Sequence, residues 1–359
     1  MNMSSAVGDS SLCLVCRQGF ETTLADEVRA RMSARGSDPG LPAVHPGMLR
    51  YDSLQAAAVA NAAPFTFERQ RLTGAMQIAL GGLKPMAREV MIRILPGIPR
   101  GAGLWTLHAY ASNVDAPDSL SRRADSLAEV FLEGCRERFP GILRRYVPAP
   151  AASEALHVLQ VCLTPEAAWA CVMEKTRLSD NAPGGVHRMP FDPHSPSRSY
   201  LKIEEAFDLL GESPQRRQTV VDLGAAPGGW TYAFLKRGCR VTAVDNGPLR
   251  LESTGGQGGK VQHVKADGIV YEPPSALRPV DWLVSDMLMP PGRNLGMMRR
   301  WMDGRWMHRF VINIKLPQQQ PFEVLRPVED YLARVPRIRF RIRQLYHDRR
   351  EVTVFGRLA

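Results

Sequence analysis

The segment TVVDLGAAPGGW, residues 219–230, constrains this chain more than any other stretch. An apolar run ending in glycine suits a strand buried on both faces of a parallel sheet. The glycine-rich turn leads straight into the helical pattern TYAFLKRG, and CRVTAVD (239–245) supplies a second strand that ends on Asp245. Strand, glycine turn, helix, strand, acid is the order of a nucleotide-cofactor sheet, in which the acid accepts hydrogen bonds from ribose hydroxyls. The turn reads GAAPGG and not GxGxxG. Its proline and its missing second glycine disfavour a pyrophosphate pressed on a helix N-terminus and speak against an NAD(P) dehydrogenase. They suit an adenosine cofactor without phosphates.

The pattern continues downstream. VQHVKAD (261–267) is a third strand ending on Asp267, within reach of an adenine, and VDWLVSD (280–286) is a fourth ending on Asp286. After a helix rich in Met, Arg and Trp, RFVINIKLP (309–317) is a fifth. RIRFRIR (337–343) alternates strictly, with Arg on one face, and REVTVFGRL closes the chain. These last two strands are expected as an antiparallel hairpin on an otherwise parallel sheet. The expected class is α/β, Rossmann-like. Upstream, a strand at 12–16, a helix at 21–33 and a strand–helix unit at 48–63 come first. The run FTFERQRL, a helix near 85–95, the strand LWTLHAY and a helix near 118–138 follow, then the strand ALHVLQVCL and a helical TPEAAWACVMEK. This α+β texture carries no catalytic constellation. Residues 180–198, dense in Pro, Gly, Asp and Ser, read as a loop or linker.

Lys and Arg number 46 against 36 Asp and Glu, a net charge of +10. That excess points to a polyanion, most commonly nucleic acid. No run approaches the ~20 apolar residues of a membrane span, and the first residues lack a signal-peptide pattern. A cytoplasmic protein with reduced thiols is expected. Cys13 and Cys16 form a CxxC pair inside LCLVC, but no second pair or His set completes a zinc site, so core packing and no metal are expected. Between Arg293 and Arg350 there are 13 Arg and one Lys against five acids. This cluster is expected to flank the reaction site and to hold RNA phosphates. Trp301, Trp306, Phe310 and Tyr346 are candidates to stack a base, though core packing is the more ordinary role for them.

DLGAAPGGW, SRSYLK, SDM, NIKLP and REVTV together resemble the FtsJ-like ribose 2′-O-methyltransferases, which carry a Lys-Asp-Lys-Glu tetrad. SRSYLKIEEAF and QLYHDRREVTVFGR narrow the likeness to bacterial enzymes that modify the ribose of a cytidine in 23S rRNA. The resemblance is strong over about 195–359 and weaker before it. It implies S-adenosyl-L-methionine as cofactor and 23S ribosomal RNA as partner. It also implies a ferredoxin-like segment at 1–62, a THUMP-type RNA-binding domain at 63–180, a linker at 181–198 and a methyltransferase domain at 199–359. By position the tetrad falls on Lys202, Asp286, Lys315 and Glu351, and Ser199 matches a cofactor-contacting serine. Ala226, Pro227, Gly228 and Gly229 are expected to supply backbone contacts to the cofactor, with Asp245, Asp267 and Asp286 as its side-chain contacts.

Elementary topology agrees with that assignment. Asp286 and Lys315 end parallel strands at the carboxyl edge, where open α/β sheets bind ligands. Glu351 begins an antiparallel strand, so its start lies at the same edge. A ribose hydroxyl must lose its proton as it attacks a sulfonium methyl, and Lys315 is the expected base. A free lysine near ~10.4 would have to fall toward ~7–8, which asks about 4 kcal/mol of the site. Asp286 and Glu351 then serve to orient the two lysines. A base methyltransferase is the nearer rival, but the fourth strand ends in SDML and not an NPPY-type tetrapeptide. Carbon-5 methylation needs a Cys nucleophile, and the last cysteine, Cys239, lies upstream of that strand. An RNA-binding adaptor with an inactive fold is the non-enzyme rival, and the intact tetrad speaks against it.

Overall fold

A computed structural model describes residues 11–52, 59, 62–101, 103–113, 119–148, 154–251 and 258–358. The chain divides into two compact units, Met1–Val186 and His187–Ala359, and the division falls inside the loop-rich stretch noted above.

The first unit is built on β1 (Ser11–Cys16), β2 (Ala43–His45), β3 (Met48–Tyr51), β4 (Glu68–Ala79), β5 (Trp105–Ala111), β6 (His157–Leu163) and β7 (Ala167–Glu174). They form one sheet in the order β2-β3-β1-β4-β7-β6-β5. Its helices are α1 (Glu21–Ser33), α2 (Leu83–Glu89), α3 (Ser119–Arg138) and the short α4 (Pro140–Leu143). The 12-residue β4 pairs with β1 along its first part and with β7 along its last, so one strand joins both groups. Buried Glu27 fixes the approach to β4 by accepting the backbone N–H groups of Thr66 and Phe67 at 2.7 and 3.1 Å. The helix expected after β3 falls on residues 53–61, of which only Val59 is described. Cys13 and Cys16 are both buried in β1. Residues three apart in a strand point to opposite faces, so this CxxC cannot clasp one ion. Among the described residues there is no cluster able to hold a metal.

One element corrects the sequence reading. TPEAAWACVMEK does not form a helix. Its Ala167–Glu174 stretch is β7, paired antiparallel with both β4 and β6. Three alanines, Glu and Met are good helix formers, but a strand buried on both faces takes its preference from its neighbours.

The second unit contains α5 (Tyr200–Leu210), β8 (Thr219–Leu223), α6 (Gly229–Leu235), β9 (Arg240–Val244), β10 (Lys260–Val264) and β11 (Val280–Ser285). It continues with α7 (Pro291–Asp303), β12 (Met307–Lys315), α8 (Arg326–Leu332), β13 (Ile338–Arg343) and β14 (Glu351–Leu358). The sheet order is β10-β9-β8-β11-β12-β14-β13. The first five strands in that order are parallel. β14 slots antiparallel between β12 and β13. The order reverses between β8 and β11, which is where a Rossmann-like sheet opens its ligand crevice. Phe207 of α5, Phe234 of α6 and Trp282 of β11 meet edge to face, with ring centroids 5.3–5.8 Å apart. This aromatic knot holds α5 at a fixed height on the sheet and so sets the position of Lys202, which sits near the start of that helix. No helix among the described residues is long and apolar enough to cross a membrane.

Candidate active site

Cross-strand register brings the tetrad together. Lys315, the last residue of β12, stands directly opposite Glu351, the first of β14. Glu351 Oε1 accepts from Lys202 Nζ at 2.5 Å and from Lys315 Nζ at 3.0 Å. Asp286 follows β11, and its Oδ1 lies 3.6 Å from Lys202 Nζ. Lys202 and Glu205 are one turn apart on α5 and both are buried. Glu205 accepts the backbone N–H groups of Tyr346 and His347 at 2.7 and 3.1 Å. One helix thus supplies a lysine to the site and clamps the turn that leads into Glu351.

The two lysines differ in environment. Lys202 is only 8% exposed. Burial pulls its pKa down, but Asp286, Asp348 and Glu351 outweigh that and hold it above the ordinary lysine value. Burial also lifts Glu351, yet the hydrogen bonds and charges of Lys202 and Lys315 bring it below the usual carboxylate range. Asp286 stays above that range because desolvation exceeds the pull of both lysines. The Lys315 side chain is 30% exposed, and its ion partner among the described residues is Glu351. Lys202 is therefore a fixed charge, whereas Lys315 keeps one face open.

Behind the tetrad lies a polar layer that inspection of the sequence misses. Asn313 and Thr353 face each other two residues below Lys315 and Glu351, so they share the same side of the sheet. Both bond to Asp348, which is fully buried. Asn313 Nδ2 reaches Oδ1 at 2.9 Å, and Thr353 Oγ1 and the Leu345 N–H reach Oδ2 at 3.1 and 3.0 Å. Burial pushes Asp348 up to about 8 even though Lys202 draws it down. Only the β12–β14 register reveals this layer.

Beside the tetrad a cleft of about 390 Å³ is lined by Gly224, Ala226, Asp245, Asp267, Asp286 and Met287, among others. The ends of β8, β9, β10 and β11 thus meet around one space. Asp245 braces the glycine turn: Oδ2 accepts Ala226 N–H at 3.0 Å and Oδ1 accepts Gly247 N–H at 2.7 Å. Each oxygen can accept a further hydrogen bond, and Asp245 lines the cleft. Asp286 Oδ1 is buried there, and among the described residues it faces the Lys202 ammonium at 3.6 Å. Gly224 has φ +77°, and a Cβ on it would strike Met287 Cγ. Pro227, Gly228, Gly229 and Ser199 do not line the cleft. Gly229 instead lets the start of α6 close on the residues before α5, since a Cβ there would collide with Ser197 Oγ and Ser199 Oγ. Ser199 bonds Ser197 Oγ at 2.7 Å and accepts Trp230 Nε1–H through its carbonyl at 2.9 Å.

Asp222, at the end of β8, is buried and accepts Thr231 Oγ1 at 2.6 Å. Burial lifts it to about 7, and Asp286 and Asp245 push the same way. The folded chain keeps a proton that an unfolded chain, with a carboxyl near about 3.9, has already released. This group's contribution to stability is therefore complete below about pH 4 and is lost as pH rises through about 7. Asp222→Asn should flatten that dependence. Thermal melts should show the variant gaining on the parent at pH 8 and not at pH 4.

Residues 196–320 match the FtsJ-like methyltransferase family. The chain is 34% identical to the ribosomal RNA large subunit methyltransferase M of Marinomonas sp. (strain MWYL1), over 96% of this chain and 98% of that protein. The chain belongs to the ribosomal RNA large subunit methyltransferase M family. The member from Xanthomonas campestris pv. campestris (strain B100) is 33% identical over 97% of this chain and 99% of its own length. A member from Pseudomonas syringae pv. syringae (strain B728a) is 43% identical over 184 residues, 48% of this chain and 50% of that protein.

Against this family background, the arginines and aromatics distribute differently from expectation. Arg349 and Arg350 are exposed just before Glu351, at the rim. Arg309 and Arg339 do not flank it: both align with Arg357, six residues down the strands from the Lys315–Glu351 pair. Trp301 and Phe310 are fully buried in the core. Trp306 packs on Trp301 and lies under the Arg278 guanidinium, 3.9 Å from its ring centroid. Tyr346 is half-buried beside His347, and its backbone N–H bonds Glu205, one turn along α5 from Lys202.

Proposed function

We propose that this chain transfers the methyl group of S-adenosylmethionine to a ribose 2′-hydroxyl, of a cytidine by resemblance, in 23S rRNA, in the cytoplasm. The observation that carries this reading is the meeting of Lys202, Asp286, Lys315 and Glu351 beside a cleft lined by the strand-end acids. The names of the full-length relatives support rRNA of the large subunit as the substrate.

The cleft residues fit the cofactor. Asp245 would hold the ribose hydroxyls and Asp267 would face the adenine, while Gly224 keeps the wall free of a side chain. Bound there, S-adenosylmethionine supplies an electrophilic methyl on a cationic sulfur. Methyl transfer would require the 2′-hydroxyl to give up its proton, and the residues of the tetrad provide for that. Lys315 takes the hydroxyl proton, because it alone of the two lysines presents an open face. Lys202 stays charged, holding Glu351 and Asp286 in place, and Glu351 aims Lys315. We read the first unit as the ferredoxin-like and THUMP-type segments that the resemblance implies, and assign it to RNA binding.

Tritium transfer from labelled S-adenosylmethionine to a 23S rRNA transcript by the purified chain tests the reading, and no transfer would refute it. Asp245→Ala should weaken cofactor binding by about 1.5–3 kcal/mol, the worth of a hydrogen bond to a charged acceptor. Calorimetry reads this directly, and unchanged affinity would unseat Asp245.

A further inference from the structure

One face of β12, β14 and β13 carries a graded column of charge. Strand alternation and register put Lys315 and Glu351 at one end, then Asn313, Thr353 and Arg343, then Val311, Phe355 and Arg341, then Arg309, Arg357 and Arg339. The last row places three guanidinium groups side by side across neighbouring strands. Like charges directly opposite one another destabilise a sheet. A single carboxylate answers two of them. Glu212 bonds Arg309 at 2.5 Å and Arg357 at 2.6 Å. It is set there because α5 stops at Gly211, in the left-handed conformation with φ +67°. No carboxylate among the described residues lies within ion-pair distance of Arg339 or Arg341. Both are exposed, and the Arg341 guanidinium reaches the Leu209 carbonyl at 3.5 Å.

The surface here is concave. A groove of about 310 Å³ runs between the end of α5 and the β13–β14 pair, lined by Leu209, Leu210, Glu212, Arg339, Arg341 and Arg357. Glu212 and the carbonyl end of α5 offset part of the charge, and a positive excess remains. Arg339 and Arg341 lie on the same face of an edge strand, about 6.8 Å apart along it. They stand roughly 20 and 13 Å down the strands from the Lys315–Glu351 pair. Arg349 and Arg350 continue the exposed arginines at the rim.

We propose that Arg339 and Arg341 form a phosphate track on the outer edge of the sheet, which grips the substrate RNA a few nucleotides from the ribose that is methylated. The inference rests on the proposed function for the identity of the RNA. Planar guanidinium forks suit phosphate oxygens, and a period of two residues offers one fork to each of two neighbouring phosphates.

The test is equilibrium binding of the full chain to a 23S rRNA transcript across a salt series, which needs no methyl transfer. The Arg339→Ala/Arg341→Ala variant should bind on the order of tenfold more weakly at physiological salt, with a log–log salt slope shallower by about 1.4–1.8. Its cofactor affinity and its rate at saturating RNA should match the parent, so the loss appears in KM and not in kcat. Arg339→Lys/Arg341→Lys should retain the parent slope. A double alanine variant that binds RNA with the parent's affinity and slope overturns the proposal. If that variant also self-associates in sedimentation, the arginines serve instead to keep an edge strand from pairing with another chain. Should the parent bind RNA with a steep salt slope yet transfer no methyl group, the proposed function fails while the track stands.

Discussion

Lys315→Ala should slow methyl transfer by roughly 10²–10⁴-fold, the usual contribution of a positioned base. Cofactor affinity should hardly change, since Lys315 does not line the cleft that the strand-end acids surround. Lys315→Arg is the informative companion. Arginine keeps the charge and the ion pair with Glu351, but it does not give up its proton. If Lys315 takes the ribose proton, the arginine variant should be nearly as slow as the alanine variant. If Lys315 only draws in RNA by its charge, arginine should restore most of the rate. Single-turnover rates at saturating RNA and cofactor separate these outcomes from binding defects.

The second large effect falls on stability. Lys202 is buried between Glu351, at 2.5 Å, and Asp286, at 3.6 Å. Lys202→Met removes the cation and leaves Glu351 buried with half its compensation. Breaking one side of a buried ion pair costs roughly 3–5 kcal/mol. For a unit of this size that lowers the melting temperature by about 6–20 °C. Lys202→Met/Glu351→Met should recover most of the loss, because apolar replacement of a whole buried pair is often near neutral. Lys315→Met should cost about 1 kcal/mol or less, as its side chain is partly solvated and Lys202 still answers Glu351. Calorimetric melts of the three variants decide this. Equal costs for the two lysines would contradict the division between a fixed charge and an open base.

The second unit was readable from sequence for a physical reason. Parallel strands buried on both faces appear as unbroken apolar runs, and the residues that do chemistry sit where those runs stop. Asp245, Asp267, Asp286 and Lys315 each follow or end a strand in this way. β7 escaped the same reading because its alanines and Glu carry a helical preference that only pairing with β4 and β6 overrides. Asp348, Asn313 and Thr353 escaped for another reason. Their bonds depend on which residue of β12 faces which residue of β14, and sequence separation carries no register across 35 to 40 positions. Nothing in the sequence singles out Glu205, because its partners are backbone groups more than 140 residues away. The arginine column was legible as composition but not as position, since one face of β13 points its charge along the groove beside α5 and away from the reacting centre.

The central claim is that the methyl group lands on a ribose oxygen. The purified chain, a 23S rRNA transcript and isotopically labelled S-adenosylmethionine should yield labelled RNA. Digestion to nucleosides and mass spectrometry then locate the label. A labelled nucleoside that keeps its label on the sugar fragment after glycosidic cleavage is the predicted result. Label that leaves with the base would contradict the assignment of Lys315 and the tetrad to a ribose hydroxyl.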